Sequence, residues 1–173
     1  MVNYMQTKMK FIKIRDVKTP AYGTVGSAGI DFFVPEDFRE QRLHPGDDIL
    51  IPSGIKANVP DGYALIAHNK SGIATKKRLQ VGACVVDSDY QGEIHIHVFN
   101  SRSNGLVEIA PGMKLVQFLL IPVASAELIE CKELEEVFPV ETDRGPGGFG
   151  STNAIEASYS LTKLGLFYEN ETH

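Results

Sequence analysis

Short runs in which apolar and polar residues alternate, separated by glycine and proline, recur along the chain. They fall at 11–14, 30–34, 48–51, 54–59, 63–68, 83–86 and 106–109, and a period of two between turn residues predicts strands. The clearest is 93–99, where Ile94, Ile96 and Val98 alternate with His95 and His97, so that one face is buried and the other is polar or at an interface. Residues 114–123 are almost continuously apolar apart from Gln117, which predicts a strand covered on both faces and a buried glutamine that needs a reason. Only 71–79 and 124–137 suggest helix, and the second is ambiguous, because its Glu, Leu and Lys content favours helix while its valines and flanking Pro122 and Pro139 permit extended chain. With no internal repeat and no linker, the pattern predicts one all-β domain, a sandwich or jelly roll with one short helix.

Composition narrows this picture. A chain of 173 residues buries roughly two-thirds of the surface its unfolded form exposes, so neither disulfides nor a structural metal are required for folding. Cys84 and Cys131 lie far apart with no Cys-x-x-Cys, which points to a reduced compartment and to two buried small hydrophobes. The formal net charge of −5 argues against a broad nucleic-acid surface, since that affinity comes from Lys and Arg on phosphates. No run has the length of a membrane span or signal peptide, so no membrane partner is expected and a soluble, cytoplasmic or otherwise intracellular protein is.

Three runs could carry chemistry. Asp87, Asp89, Tyr90 and Glu93 lie between two apolar strands, a candidate general base beside an aromatic surface, although acidic turns are ordinarily just solvated. Lys70, Ser71 and Gly72 open the first predicted helix, where free N–H groups would seat a phosphate; the plainer reading is that Ser71 caps the helix and the lysines face water. The run Arg144, Gly145, Pro146, Gly147, Gly148, Phe149, Gly150, Ser151, Thr152 could bring backbone N–H groups and a guanidinium to a phosphate chain and a phenyl ring to a base. It lacks the Walker ending. His95 and His97 share a strand face, but two ligands are too few for a transition-metal site.

Taken in order, these runs and two more resemble the five motifs of the homotrimeric dUTPases: Ala28 to Asp31, Lys70 to Ala74, Val85 to Glu93, Gly112 with Lys114 to Gln117, and Arg144 to Thr152. The resemblance implies a jelly-roll-like subunit in a homotrimer with active sites at subunit boundaries. There dUTP is hydrolysed to dUMP and pyrophosphate by water attack at the α-phosphorus with Mg²⁺ across the triphosphate, which limits uracil in DNA and supplies dUMP for dTTP synthesis. It implies Asp87 as the water-activating base, Tyr90 under the deoxyribose, and the backbone around Cys84 and His95 on the uracil edge. Lys70, Ser71, Gly72 and Gln117 would hold phosphates, and Asp31 would orient metal-bound water. Arg144 would meet the terminal phosphate, Phe149 would stack on uracil, and Gly150 with Ser151 would complete the phosphate contacts.

On this reading 1–143 form the catalytic domain, 144–152 an arm closing over a neighbour's site, and 153–173 a C-terminal extension whose Ile155, Leu161, Leu164, Leu166 and Phe167 could engage a protein partner. The chain departs from the family in that extension and in Lys70, where an arginine is usual and its planar fork is lost. A dCTP deaminase on the same fold and a nucleotide-responsive binding protein are the competing readings.

Overall fold

In a computed structural model the structure describes residues 7–148. The chain divides into two compact units, and their described parts are 7–126 and 127–148. Among the described residues no helix is long and apolar enough to cross a membrane.

Among the described residues every strand lies in the first unit: β1 Lys10–Lys13, β2 Ala21–Tyr22, β3 Ile30–Asp31, β4 Gln41–Leu43, β5 Asp48–Pro52, β6 Ile55–Asn58, β7 Tyr63–Asn69, β8 Leu79–Val81, β9 Val85–Val86, β10 His95–Asn100, β11 Val107–Ile109 and β12 Val116–Pro122. All pairings are antiparallel, in sheets ordered β1-β6, β5-β10-β8, β11-β4 and β2-β3-β12-β7-β9. One apolar cluster joins them, drawing Ile30 and Phe32, Ile51 and Ile55, Leu65, Leu79, Ile96 and Phe118 from elements far apart in sequence. Phe32 and Phe118 pack within it in a tilted pair with ring centroids 4.4 Å apart. The period-two reading of 93–99 is borne out: Ile94, Ile96 and Val98 are buried and both histidines half-exposed.

The register of the largest sheet decides which residues can meet. β12 runs against β7 from Val116↔Asn69 to Pro122↔Tyr63, while its other edge sets Gln117 opposite Asp31 of β3. The C-terminal end of β7 therefore lies beside Gln117 and Asp31. On its far edge β7 pairs with β9 through Leu65↔Val86 and Ile66↔Val85, so Asp87 leaves the sheet nearer the opposite end of β7.

Four expectations need correction. The helix predicted over 71–79 stops at Lys77 after a single wide π-type turn, Ile73–Lys77, because Arg78 is left-handed (φ 57°) and Leu79 is drawn into the core as the first residue of β8. The region 124–137 is helical only at α1, Leu134–Val137, in the second unit; its apolar residues Leu128, Ile129 and Leu134 are exposed, and helical propensity without a packed face does not hold a helix in water. β12 buries Val116 and Phe118 but leaves Gln117, Leu119 and Ile121 half-exposed in the single chain. The glutamine is thus not a core residue. Cys84 and Cys131 are free thiols, as expected, but half-exposed rather than buried.

Candidate active site

The predicted site residues of the first unit fall into two groups. The first gathers on three neighbouring strands. Asp31, on β3, is buried, and its two carboxylate oxygens face two ammonium groups: Lys70 on Oδ1 and Lys114, at 2.9 Å, on Oδ2. Burial alone would push the Asp31 carboxyl up, but the hydrogen bonds from Lys70 and then Lys114, with their charges, hold it below the usual carboxylate range. Beside it the Gln117 side-chain amide donates to the Asn69 carbonyl at 3.1 Å, which ties β12 to the residue before Lys70. This is the reason for a polar residue in that apolar strand.

Gly29 explains the small residues ahead of Asp31. A Cβ there would stand 2.6 Å from Gln117 Oε1 and 2.9 Å from its Cβ and Cγ, so only glycine lets the 28–31 segment lie flat against the glutamine. Ser71 and Gly72 are exposed at the start of the helical turn, and the Ser71 hydroxyl makes no cap; its carbonyl instead accepts the Thr75 hydroxyl at 2.7 Å. Three cations of that region go elsewhere. Arg102 donates to the Lys76 and Lys77 carbonyls at 3.1 and 3.0 Å, closing the end of the turn, and Lys76, Arg78 and Arg102 line a separate polar concavity with Ser101, Ser103 and Asn104.

The second group lines a cleft of about 260 Å³ between β9, the following hairpin and β10, where Cys84, Asp87, Tyr90 and His95 all contribute to the wall. Cys84 is fixed through its carbonyl, which accepts the Ala67 N–H at 2.7 Å. The Tyr90 hydroxyl donates to the Glu93 carbonyl at 2.9 Å, folding the hairpin back on itself, and the Tyr90 N–H donates to the Asp87 carbonyl at 3.3 Å. The Glu93 carbonyl also meets His95 Nδ1 at 2.8 Å. Asp87 itself is exposed, and its carboxylate has no ion pair or hydrogen bond among the described residues.

Glu93, one of the acidic residues of this turn, is an anchor rather than a solvated group. It receives Arg15 Nε at 2.8 Å and the Gly54 N–H at 2.8 Å. The Arg15 hydrogen bond lowers the Glu93 carboxyl against the opposing cost of burial, and the Gly54 N–H adds to the lowering. No local pattern could have found this, since Arg15 is 78 positions away. Lys114, in the fourth motif, reaches Asp31 only through the strand register.

Among the described residues the two groups stand apart along β7. Measured along β7, the level of Val86 is Leu65 and the level of Val116 is Asn69, and four residue rises separate them by roughly 14 Å. Arg144, in the second unit, donates from Nε to the Gly147 carbonyl at 2.8 Å. Phe149, Gly150 and Ser151 lie outside the described residues. Among the described residues no three His, Cys, Asp or Glu side chains converge as a metal would need.

A family model, dUTPase, matches residues 15–153. The deoxyuridine 5'-triphosphate nucleotidohydrolase of Acinetobacter baylyi is 39% identical over 136 residues, 77% of this chain and 86% of that protein. The enzyme of the same name from a Hydrogenobaculum species is 34% identical over 148 residues, 84% and 97% of the two chains. Among solved structures, a dUTPase variant of Staphylococcus bacteriophage 80alpha with dUpNHpp shares the fold at a TM-score of 0.72 and 20% identity, covering 85% of this chain and 99% of that one. A dUTPase variant from phage phi11 of S. aureus, described for its coordination of a structural Mg(II) ion, does so at 0.66 and 21%, covering 75% and 99%. The antiparallel, jelly-roll-like architecture is common to them, and the match of the family model over most of the chain places it in the dUTPase family.

Proposed function

We propose that the protein hydrolyses dUTP to dUMP and pyrophosphate, in the intracellular nucleotide pool, as a homotrimer whose sites are completed between chains. The observation that carries the chemistry is Asp87: a solvent-facing carboxylate with no partner among the described residues, on the wall of a cleft shared with Tyr90, Cys84 and His95. A carboxylate with free lone pairs can take a proton from water, whereas Asp31 and Glu93 are both committed to cations. The trimer draws support from the separation of the two groups along β7. A base cleft from one chain and the phosphate-facing group of another would meet where neither alone makes a site.

In this reading uracil enters the hairpin cleft, its edge on the backbone around Cys84 and His95, with the deoxyribose against Tyr90. Lys70, Ser71, Gly72 and Gln117 hold the phosphates. The Asp31, Lys70 and Lys114 trio carries one net positive charge, which favours an anionic chain beside it. Asp87 removes a proton from the water that attacks the α-phosphorus. Arg144 meets the terminal phosphate, Phe149 covers the base, and Gly150 with Ser151 complete the grip, so that 144–152, following the catalytic domain of 1–143, act as an arm closing over a neighbour's site, with 153–173 as an extension able to engage a protein partner.

Mg²⁺ suits this donor set as a passenger on the triphosphate. One buried carboxylate and no cluster of ligands among the described residues match a hard cation that keeps its waters and takes its other oxygens from phosphates. Bound there it supplies charge neutralisation to the leaving group. Asp31 is the residue that would orient its water.

Incubating the protein with each deoxynucleoside triphosphate and Mg²⁺ tests the proposal. Pyrophosphate from dUTP alone is expected. Ammonia from dCTP would move the assignment to a deaminase, and no product from any nucleotide would leave a binding protein.

A further inference from the structure

His97 lines the base cleft without being one of the predicted site residues, and its imidazole has both nitrogens occupied. The Ala83 backbone N–H lies 2.7 Å from Nδ1, and Asp48 Oδ2 lies 2.9 Å from Nε2. A backbone N–H can only donate, so Nδ1 must carry the lone pair. The ring proton is therefore on Nε2, where it is donated to Asp48. The contact is reinforced on either side. Gly82 donates its N–H to the His97 carbonyl at 3.0 Å, and a Cβ on Gly82 would collide with the imidazole at Nδ1 and Cε1. Asp48 belongs to β5, whose pairing with β10 sets Leu50 opposite His97. Ala83, Cys84, Leu50 and His97 all line the cleft that holds Asp87 and Tyr90.

We infer that His97 is a positioning and specificity-determining residue. Its neutral, Nε2-protonated ring fixes the 82–84 backbone to β10 and β5, and so sets the hydrogen-bonding edge that the base meets at Cys84. The Cys84 carbonyl is held from the other side by the Ala67 N–H, so the imidazole is the second of two clamps on this segment. The inference rests on the reading of the cleft as the base pocket. Side-chain identity then matters at one nitrogen more than the other: the Nδ1 contact aims the base-reading backbone, and the Nε2 contact only orients the ring.

Two substitutions separate the nitrogens. In His97→Asn an amide oxygen can stand near the Nδ1 position and keep Ala83; in His97→Gln the amide reaches Asp48 and leaves the Ala83 N–H unpaired. The ratio of kcat/KM for dUTP to that for dCTP is expected to fall about threefold to tenfold in His97→Gln, the worth of one such hydrogen bond, and to stay at the wild-type ratio in His97→Asn. In the unaltered protein, nitrogen NMR of the imidazole is expected to find the proton on Nε2. Equal loss in both variants, no loss in either, or a proton on Nδ1 would overturn the inference. If His97→Gln does not fold, His97→Asn and the spectrum decide it. Wild-type protein that leaves dUTP intact would instead overturn the functional reading, while the spectrum still tests the clamp.

Discussion

Asp31 and Asp87 are the same residue type, one on the largest sheet and one just beyond its last strand, and their places give them opposite lives. Asp31 sits on β3 inside the fold, 5% exposed, with one lysine for each oxygen. Asp87 follows the two-residue strand β9, exposed and without a side-chain partner among the described residues. A buried carboxylate is tolerated only when paired, so Asp31 must remain ionised and oriented. A carboxylate at a hairpin tip has no such constraint and can accept a proton. The difference lies in strand register, which brings Lys70 and Lys114 to one aspartate and neither to the other.

The largest effect expected from this contrast is on chemistry. Asp87→Asn should lower dUTP turnover by about 10²- to 10⁴-fold while dUTP still binds by calorimetry and stability changes by no more than about 0.5 kcal/mol. Undiminished pyrophosphate release would remove Asp87 from the reaction. Asp31→Ala should do the reverse, acting first on the fold. It leaves two ammonium groups facing each other across a vacated site, but their side chains are 24% and 47% exposed and can turn to water. The cost is therefore discounted from that of a fully buried pair to about 1–3 kcal/mol in urea unfolding. An unchanged midpoint would show that the trio does not stabilise the fold.

Much of this was legible in the sequence. Alternation located most strands, and the motif around Asp87 marked the cleft wall that Cys84, Tyr90 and His95 share. Helix was over-read. Propensity at 124–137 was not backed by burial, and at 71–79 the core's need for Leu79 ended the turn early. The pairings hardest to foresee were those with long sequence separation: Arg15 with Glu93, and Lys114 with Asp31, 83 positions apart. Periodicity says which face a residue takes but not which strand lies beside it.

The clamp on Asp31 can be sharpened from the lysine side. An ammonium reaches one carboxylate oxygen, whereas a guanidinium fork can span two, so here two lysines do together what one arginine could do alone. Lys114→Met should cost about 0.5–1.5 kcal/mol, and adding Lys70→Arg should recover most of it. If the arginine gives no recovery in denaturant midpoint, the fork does not reach both oxygens and the two-for-one account fails.

The smallest effect should appear in acid. Asp31 and Glu93 are both held below their ordinary carboxyl range, by lysines in one case and by Arg15 with the Gly54 N–H in the other. Each therefore binds its proton less readily folded than unfolded, so the unfolded chain takes up protons first as the pH drops. The stability they contribute is complete above the unfolded values of about 3.9 for Asp and 4.3 for Glu. It is lost as the pH falls through their lower folded values. Unfolding free energy measured from neutral pH down through this window should decline, and less steeply in Asp31→Asn and in Glu93→Gln than in the unaltered protein. Each substitution removes one titrating carboxylate, so an unaltered slope in either would mean that its ion pair does not survive in solution.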